Sequence, residues 1–239
     1  MRFLSLLFLL VSTHGVFAQL ADTALFFTGD AQRHAIARYE QANRRQSHLY
    51  DGNEYINHDP RIKIHPFFPV DSMLVGQVVY DGVHYQSVPM LYDVVRDEIV
   101  VKPAEGAYLI RLHANKVDSF SLASRQFVRL VGDSLSGIRP GFYELLHQGK
   151  LKALVKRAKY IKEDVSQGFY QANYLVNDRY FVVRDGVYHE VNSKKALLNL
   201  FADQKKALRK YLRTNQLRFK QQREQAITGL VREYESLTR

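Results

Sequence analysis

The chain has 239 residues, a formal net charge of +10 and no cysteine. The lack of cysteine excludes disulfide bonds, thiolate zinc sites and thiol nucleophiles. A chain of this length can be held together by apolar burial instead, because a protein of this size buries roughly 70% of its unfolded surface.

Residues 1–18 are typical of a signal peptide. Arg2 gives a positive start, Phe3–Val11 is mostly apolar, and Val16-Phe17-Ala18 carries suitable residues for signal-peptidase cleavage. The apolar run is far shorter than the roughly 20 residues that cross a bilayer as a helix. We therefore expect no transmembrane span and an exported protein that begins near Gln19, in the periplasm, associated with the cell envelope or secreted.

Residues 19–73 are predicted to form an N-terminal helix followed by a proline-rich loop. Asp30 is a suitable N-cap, and the apolar residues of segment 35–42 lie at helical spacing. Three prolines follow within ten residues, from Pro60 to Pro69, and they exclude a central strand or a helix there. We expect an ordered loop that is anchored by Phe67 and Phe68.

Residues 74–192 are predicted to form an antiparallel β-meander, either an open sheet or barrel-like. Its clearest signal is Asp81-Gly82, which lies between two runs rich in Val and Tyr. This dipeptide favours a two-residue type I′ turn and hence a β-hairpin. The turn places two cross-strand pairs on one face of the sheet, namely Val78 with Tyr85 and Tyr80 with Val83.

Further strands are predicted at the spacing of a meander. They are Asp97–Lys102, Ala107–His113, Val117–Leu122, Gln126–Val131, Gly141–His147 and Leu151–Tyr160. The segment Ile161–Ala172 is largely polar, and we expect it to loop out of the sheet. A last hairpin is predicted over Asn173–Asn192, with its turn at Asp185-Gly186.

Residues 193–239 are predicted to form two amphipathic basic helices that pack on the sheet, so the fold class is mainly β (α+β). Ser193 is a suitable N-cap for the first helix, and the second is expected from near Gln221 to Leu237. The first helix has an apolar stripe of Leu197, Phe201, Leu208, Tyr211 and Leu212. The second is expected to bury Ala226, Ile227, Leu230, Val231 and Tyr234.

The positive charge is confined to the C-terminal part of the chain. Residues 19–149 carry 13 basic and 15 acidic side chains, whereas residues 150–239 carry 20 and 9. The predicted binding residues are the cations of the first helix, Lys205, Lys206, Arg209, Lys210 and Arg213. Such a face suits anionic envelope lipids, glycans or another envelope protein, or it is simply solvated. Nucleic acid is not expected, since no stacking aromatic motif accompanies the charge.

Four segments together resemble a group of uncharacterised exported proteins from Bacteroidota. They are LYDGNEY (Leu49–Tyr55), GxVxYDGxxYxxVxxLYD (Gly76–Asp93), GFYELL (Gly141–Leu146) and the tail Tyr211–Leu237. The resemblance implies an exported protein of this architecture. Because the group has no established activity and the shared residues are those of turns and cores, the resemblance implies no site.

Three motifs could carry chemistry. Gly132-Asp133-Ser134-Leu135 matches the nucleophile block of GDSL-type esterases, but no Asp-x-x-His follows Ser134 to activate its hydroxyl, so a turn is the simpler interpretation. The side chains of His48, His58, Asp59 and His65 could form a zinc site, although their spacing matches no helical ligand pair. Histidine and tyrosine recur together at His84-Tyr85 and Tyr188-His189, where we expect core tyrosines and solvated histidines.

We therefore expect a non-enzymatic binding or interaction module of the cell envelope that needs no cofactor. A GDSL-like serine esterase that uses Ser134 is the alternative.

Overall fold

The computed structural model describes residues 48–103, 106–132, 137–165 and 170–238. The predicted signal peptide and N-terminal helix lie outside these ranges. The strands of the described residues are β1 (Asn53–Glu54), β2 (Phe67–Phe68), β3 (Leu74–Tyr80), β4 (Val83–Asp93), β5 (Glu98–Val101), β6 (Ile110–Arg111), β7 (Val117–Leu122), β8 (Arg125–Leu130), β9 (Gly141–Gln148), β10 (Lys152–Lys156), β11 (Lys159–Asp164), β12 (Gln171–Val176), β13 (Arg179–Arg184) and β14 (Val187–Glu190).

Most of these strands form one large open antiparallel sheet. Its order is β1-β6-β5-β4-β3-β7-β8-β9-β10-β13-β14, and β2 pairs with β4 at one side. The prediction of a mainly β, antiparallel fold is thus confirmed. The prediction of a simple meander is wrong. Strands β3 to β6 follow each other toward one edge of the sheet, and β7 then pairs with the free side of β3. This return places Phe120 opposite Val78 and brings its ring 5.2 Å from that of Tyr92.

The first hairpin has the predicted register. Val78 pairs with Tyr85 and Tyr80 with Val83 across β3 and β4. The φ angles of Asp81 and Gly82 are +51° and +74°, as a type I′ turn requires. Val78 and Tyr80 are buried, whereas Val83 at the tip is exposed. The predicted third strand also exists as β5, which pairs with β4.

The sheet curves around an aromatic cluster. Tyr92 of β4 lies edge-on to Phe120, Phe127 and Phe142, which come from β7, β8 and β9. Asp97, in the turn after β4, accepts hydrogen bonds from the hydroxyl of Tyr92 and from the backbone N–H of Phe142. This turn therefore reaches across the curved face to β9, which holds the sheet in its curved shape.

One predicted strand is interrupted. The run from Leu151 to Tyr160 breaks at Arg157 and Ala158, and the residues after the break begin β11. The backbone N–H of Ala158 donates to the carboxylate of Asp178, and the guanidinium of Arg157 donates to the buried carboxylate of Glu144. Side-chain partners replace ladder hydrogen bonds at the break, which is why strand propensity alone did not reveal it.

Beyond the break, β11 and β12 form a separate two-stranded ribbon. The predicted loop over Ile161–Ala172 is therefore wrong at both ends, because residues 161–164 and 171–172 are extended. The ribbon has one buried side, which carries Ala172 and Tyr174. Tertiary contacts of these two side chains outweigh the polar composition of the segment.

The described residues contain three C-terminal α-helices where two were predicted: α1 (Lys194–Leu200), α2 (Lys205–Thr214) and α3 (Arg223–Leu237). The first predicted helix is interrupted at Phe201, whose φ and ψ are −111° and 46°. The break allows the Phe201 ring to stack on Tyr234 at 4.2 Å. A short 3-10 turn, Ala202–Gln204, then leads into α2.

The helices pack on the sheet as predicted. The side chain of Ser193 caps α1 by accepting from the backbone N–H of Ala196. On α3, the buried residues are the five that were predicted. They share one apolar cluster with Ala153 and Val155 of β10 and Val182 of β13. None of the helices in the described ranges is long and apolar enough to cross a membrane.

Candidate functional site

Four of the five predicted binding residues form a continuous cationic stripe on α2. Lys206, Arg209, Lys210 and Arg213 are all exposed, and their spacing of three and four residues places them on one side of the helix. Within the described ranges, no acidic side chain forms an ion pair with any of them. We call these four residues the α2 stripe.

Lys205 does not belong to the α2 stripe. It is half-buried, and its Nζ donates to the side-chain oxygen of Asn199 at 2.8 Å. The opposite side of α2 is buried, because Leu208 and Leu212 pack in the core beneath the helices. The helix therefore presents its cations outward and has no apolar side left to offer a partner.

A second group of cations lines a cleft beside the connection between α2 and α3. This basic cleft has a volume of about 550 Å³. Its lining residues are Asn192, Ser193, Lys194, Lys195, Arg218, Phe219, Lys220, Gln221 and Arg223. Five of these nine are Lys or Arg and none is acidic. The sequence analysis missed Arg218, Lys220 and Arg223, although three cations within six residues were a signal.

A second cleft, of about 660 Å³, borders the same connection. This amide cleft shares Lys220, Gln221 and Arg223 with the basic cleft. Its other lining residues are Val176, Asn177, Asp178, Tyr180, Gln222, Glu224 and Gln225. The lining thus contains four carboxamide side chains, each a hydrogen-bond donor and acceptor, and two carboxylates, Asp178 and Glu224.

The two carboxylates of the amide cleft are fixed from below by Arg157. Its Nη1 donates to Asp178 at 2.6 Å and to Glu224 at 2.7 Å, while its Nε donates to Glu144 at 2.6 Å. The Arg157 side chain is only 4% exposed and that of Glu144 only 3%. The guanidinium also lies 4.8 Å from the ring centre of Phe68, a cation–π contact. We call Arg157 and its three carboxylate partners, Glu144, Asp178 and Glu224, the Arg157 network.

The Arg157 network shifts the acidity of its members. Burial alone would lower the pKa of Arg157, but its hydrogen bonds to Glu224 and Glu144 outweigh burial and raise it. Burial likewise favours a raised pKa for Glu224, yet the hydrogen bond and positive charge of Arg157 lower it. Arg157 and Glu224 are therefore both charged at neutral pH. The network thus sets the positions of both cleft carboxylates and keeps Glu224 ionised.

His58 of the proline-rich loop has side-chain partners on both ring nitrogens. His58 Nε2 lies 2.6 Å from the buried carboxylate of Asp93, and His58 Nδ1 lies 2.6 Å from the hydroxyl of Tyr174. Asp59 hydrogen-bonds with Arg61, which lowers the pKa of Asp59 to about 2. Across the part of the chain that the structure describes, no three His, Asp or Glu side chains are grouped to hold a metal.

The paired histidines and tyrosines of the two hairpins do not converge on a site. His84 is exposed, whereas Tyr85 is half-buried against the aromatic cluster. Tyr188 is half-buried against Leu154 and Phe181. Tyrosine therefore packs against a core in both hairpins, as expected, but only His84 is the exposed histidine that was expected, because His189 is half-buried.

Ser134 lies outside the described residues, so the esterase hypothesis stays a prediction. It requires labelling by a fluorophosphonate probe that is lost in Ser134→Ala.

Comparison with known proteins adds no assignment. No protein-family model matches the chain, and searches of the curated proteins and of the solved structures find no significant match either.

Proposed function

We propose that this protein is an exported cell-envelope protein that binds an anionic envelope component through the α2 stripe. It acts as a binding module and not as an enzyme. The observation that carries the proposal is the group of four exposed cations on one helix side, with no acidic partner among the described residues. Unpaired positive charges at this density attract anionic surfaces and polymers.

The packing of α2 favours contact at a surface over insertion into it. A helix that enters the bilayer interface needs a free apolar side, but the apolar side of α2 is buried against α3 and the sheet. Electrostatic attraction is left as the driving force, worth about 1 kcal/mol for each Lys or Arg close to an anionic membrane surface. Such binding weakens as salt rises, because the Debye length shortens.

The proposed location has its support in the sequence. Residues 1–18 have the composition of a signal peptide, and four segments resemble exported proteins of Bacteroidota. The ligand class follows from this location, because anionic lipids and acidic glycans are the polyanions that an exported protein meets.

The test is sedimentation of the protein with vesicles of phosphatidylglycerol and phosphatidylcholine. A variant with Lys206, Arg209, Lys210 and Arg213 all changed to Gln loses about 4 kcal/mol of attraction on the scale above, which is roughly a thousandfold in affinity. The matched control changes four exposed lysines elsewhere, Lys63, Lys102, Lys152 and Lys162, and so removes the same charge. Equal weakening in both variants would contradict a localised binding face.

A further inference from the structure

We propose that the basic cleft binds a phosphate monoester, and that the amide cleft holds the hydroxylated body of the same ligand, as in a phosphorylated saccharide. This inference goes beyond the function proposed for the α2 stripe, because the basic cleft is formed by other residues.

The basic cleft has an excess of positive charge around it, which favours an anionic ligand. Lys194, Lys195, Arg218, Lys220 and Arg223 line it. Among the described residues, no acidic side chain forms an ion pair with any of the five. Positive groups around one cleft repel each other, and a bound anion lowers that repulsion.

Arg223 has an unused hydrogen-bond donor. Its Nε is buried and has no hydrogen-bond partner in the described part of the chain. The guanidinium carbon lies 5.5 Å from the ring centre of Tyr180 and 5.8 Å from that of Phe219, so two aromatic rings hold the group in place. A guanidinium fixed in this way is suited to a tetrahedral oxyanion, which accepts two parallel hydrogen bonds from it.

A phosphate monoester suits the cleft better than a carboxylate. It carries close to two negative charges at neutral pH and three strong acceptor oxygens. The five cations around the cleft match the double charge of a phosphate monoester better than the single charge of a carboxylate. The volume of about 550 Å³ also exceeds the need of a phosphate group alone, so a larger ligand can enter.

The amide cleft indicates what the phosphate is attached to. Lys220, Gln221 and Arg223 border both clefts, so a ligand that extends past them meets Asn177, Gln225 and the fixed carboxylates. Carboxamides and carboxylates pair with the hydroxyl groups of a sugar, since each hydroxyl both donates and accepts. An acyl chain would leave these polar groups unpaired, which is costly. The two clefts therefore fit a sugar phosphate better than a lipid phosphate.

The first experiment is a calorimetric titration of the protein with inorganic phosphate and with glucose 6-phosphate. We expect both to bind, and glucose 6-phosphate to bind at least tenfold more tightly. The double variant Lys194→Gln/Lys195→Gln should bind both ligands about tenfold less tightly or worse, because charged hydrogen bonds are lost. The control Lys63→Gln/Lys102→Gln removes the same charge from exposed positions outside both the basic cleft and the α2 stripe, and it leaves both affinities unchanged.

The second experiment separates the body of the ligand from its phosphate. Asn177→Ala/Gln225→Ala is expected to remove the advantage of glucose 6-phosphate and to leave the affinity for inorganic phosphate unchanged. The proposal that the basic cleft binds phosphate is overturned if neither probe binds, or if the Lys194/Lys195 variant and its control lose the same affinity. The proposal of a saccharide body is overturned if glucose 6-phosphate binds no better than phosphate and the protein binds phosphatidic acid vesicles through the basic cleft. The phosphatidylglycerol assay of the α2 stripe stands or falls independently of all these outcomes.

Discussion

The hydroxyl of Tyr174 lies 2.6 Å from Nδ1 of His58, although the two residues are 116 positions apart in the chain. His58 lies in the proline-rich loop and Tyr174 on the β11–β12 ribbon, so this contact fastens the ribbon to the main sheet. On its other side, His58 hydrogen-bonds to Asp93, whose carboxylate also accepts from the Tyr55 hydroxyl. Burial and the nearby charge of Asp93 raise the pKa of Tyr55, which keeps its hydroxyl protonated as a donor.

Tyr174→Phe is expected to lower the free energy of unfolding by about 1 kcal/mol, because it leaves His58 Nδ1 without its buried partner. Urea denaturation followed by circular dichroism measures the change. Tyr160→Phe removes an exposed hydroxyl from the same ribbon and is the control, with little expected effect. If both variants lose the same stability, the Tyr174–His58 contact does not stabilise the fold.

Arg157→Met is expected to lower the free energy of unfolding by about 3–5 kcal/mol, because it leaves the buried carboxylate of Glu144 with only the half-exposed Arg125 as partner. The double variant Arg157→Met/Glu144→Gln should be more stable than the single one, since the stranded charge is gone. Chemical denaturation of the wild type, both single variants and the double variant completes the thermodynamic cycle. Additive losses would show that Arg157 and Glu144 contribute independently.

Glu224 makes the protein less stable in acid. Its pKa is lower in the folded chain than its ordinary value of 4.5, because Arg157 outweighs the effect of burial. The unfolded chain therefore takes up this proton first, and stability is lost as the pH falls below about 4.5. Glu224→Gln should show a shallower loss between pH 5 and pH 3 in urea titrations. Glu233→Gln, on the same helix, is the control and should keep the wild-type slope.

The parts of the fold that were predicted correctly are those set by neighbouring residues. Asp81-Gly82 fixes a turn and with it the register of two strands, because the type I′ geometry is a property of the dipeptide itself. The buried side of α3 follows in the same way from a period of 3.6 residues. The exposed side of α2 was also predicted, because its four cations obey that period. That they bind a partner stays a prediction.

The parts that were missed depend on residues far apart in the chain. The return of β7 to β3 and the interruption at Phe201 go together with ring contacts to Tyr92 and Tyr234, which no local pattern encodes. The Arg157 network joins β9 and α3 through the break that follows β10, and the hydrogen bond from Arg157 to Glu224 spans 67 positions. The basic cleft likewise exists only because the start of α1 lies beside the α2–α3 connection. Lys205 was assigned to the binding face from periodicity alone, which cannot reveal its contact with Asn199.

Two glycines of the first hairpin should respond differently to alanine. At Gly82, a Cβ would meet no atom within 4 Å, so the cost of Gly82→Ala arises only from its φ of +74° and should be about 1 kcal/mol. At Gly76, a Cβ would collide with the carbonyl oxygen of Ser121 on β7. Gly76→Ala should therefore cost more, about 3 kcal/mol, because β3 and β7 must separate.

Thermal and urea denaturation of the two hairpin variants measure this difference. Gly186→Ala is the matched control for Gly82→Ala, since Gly186 has a φ of +78° in the last hairpin and equally open space around it. Similar losses at Gly82 and Gly186, and a clearly larger loss at Gly76, are the expected pattern. A Gly76→Ala variant as stable as Gly82→Ala would contradict the close pairing of β3 with β7, on which the order of the whole sheet depends.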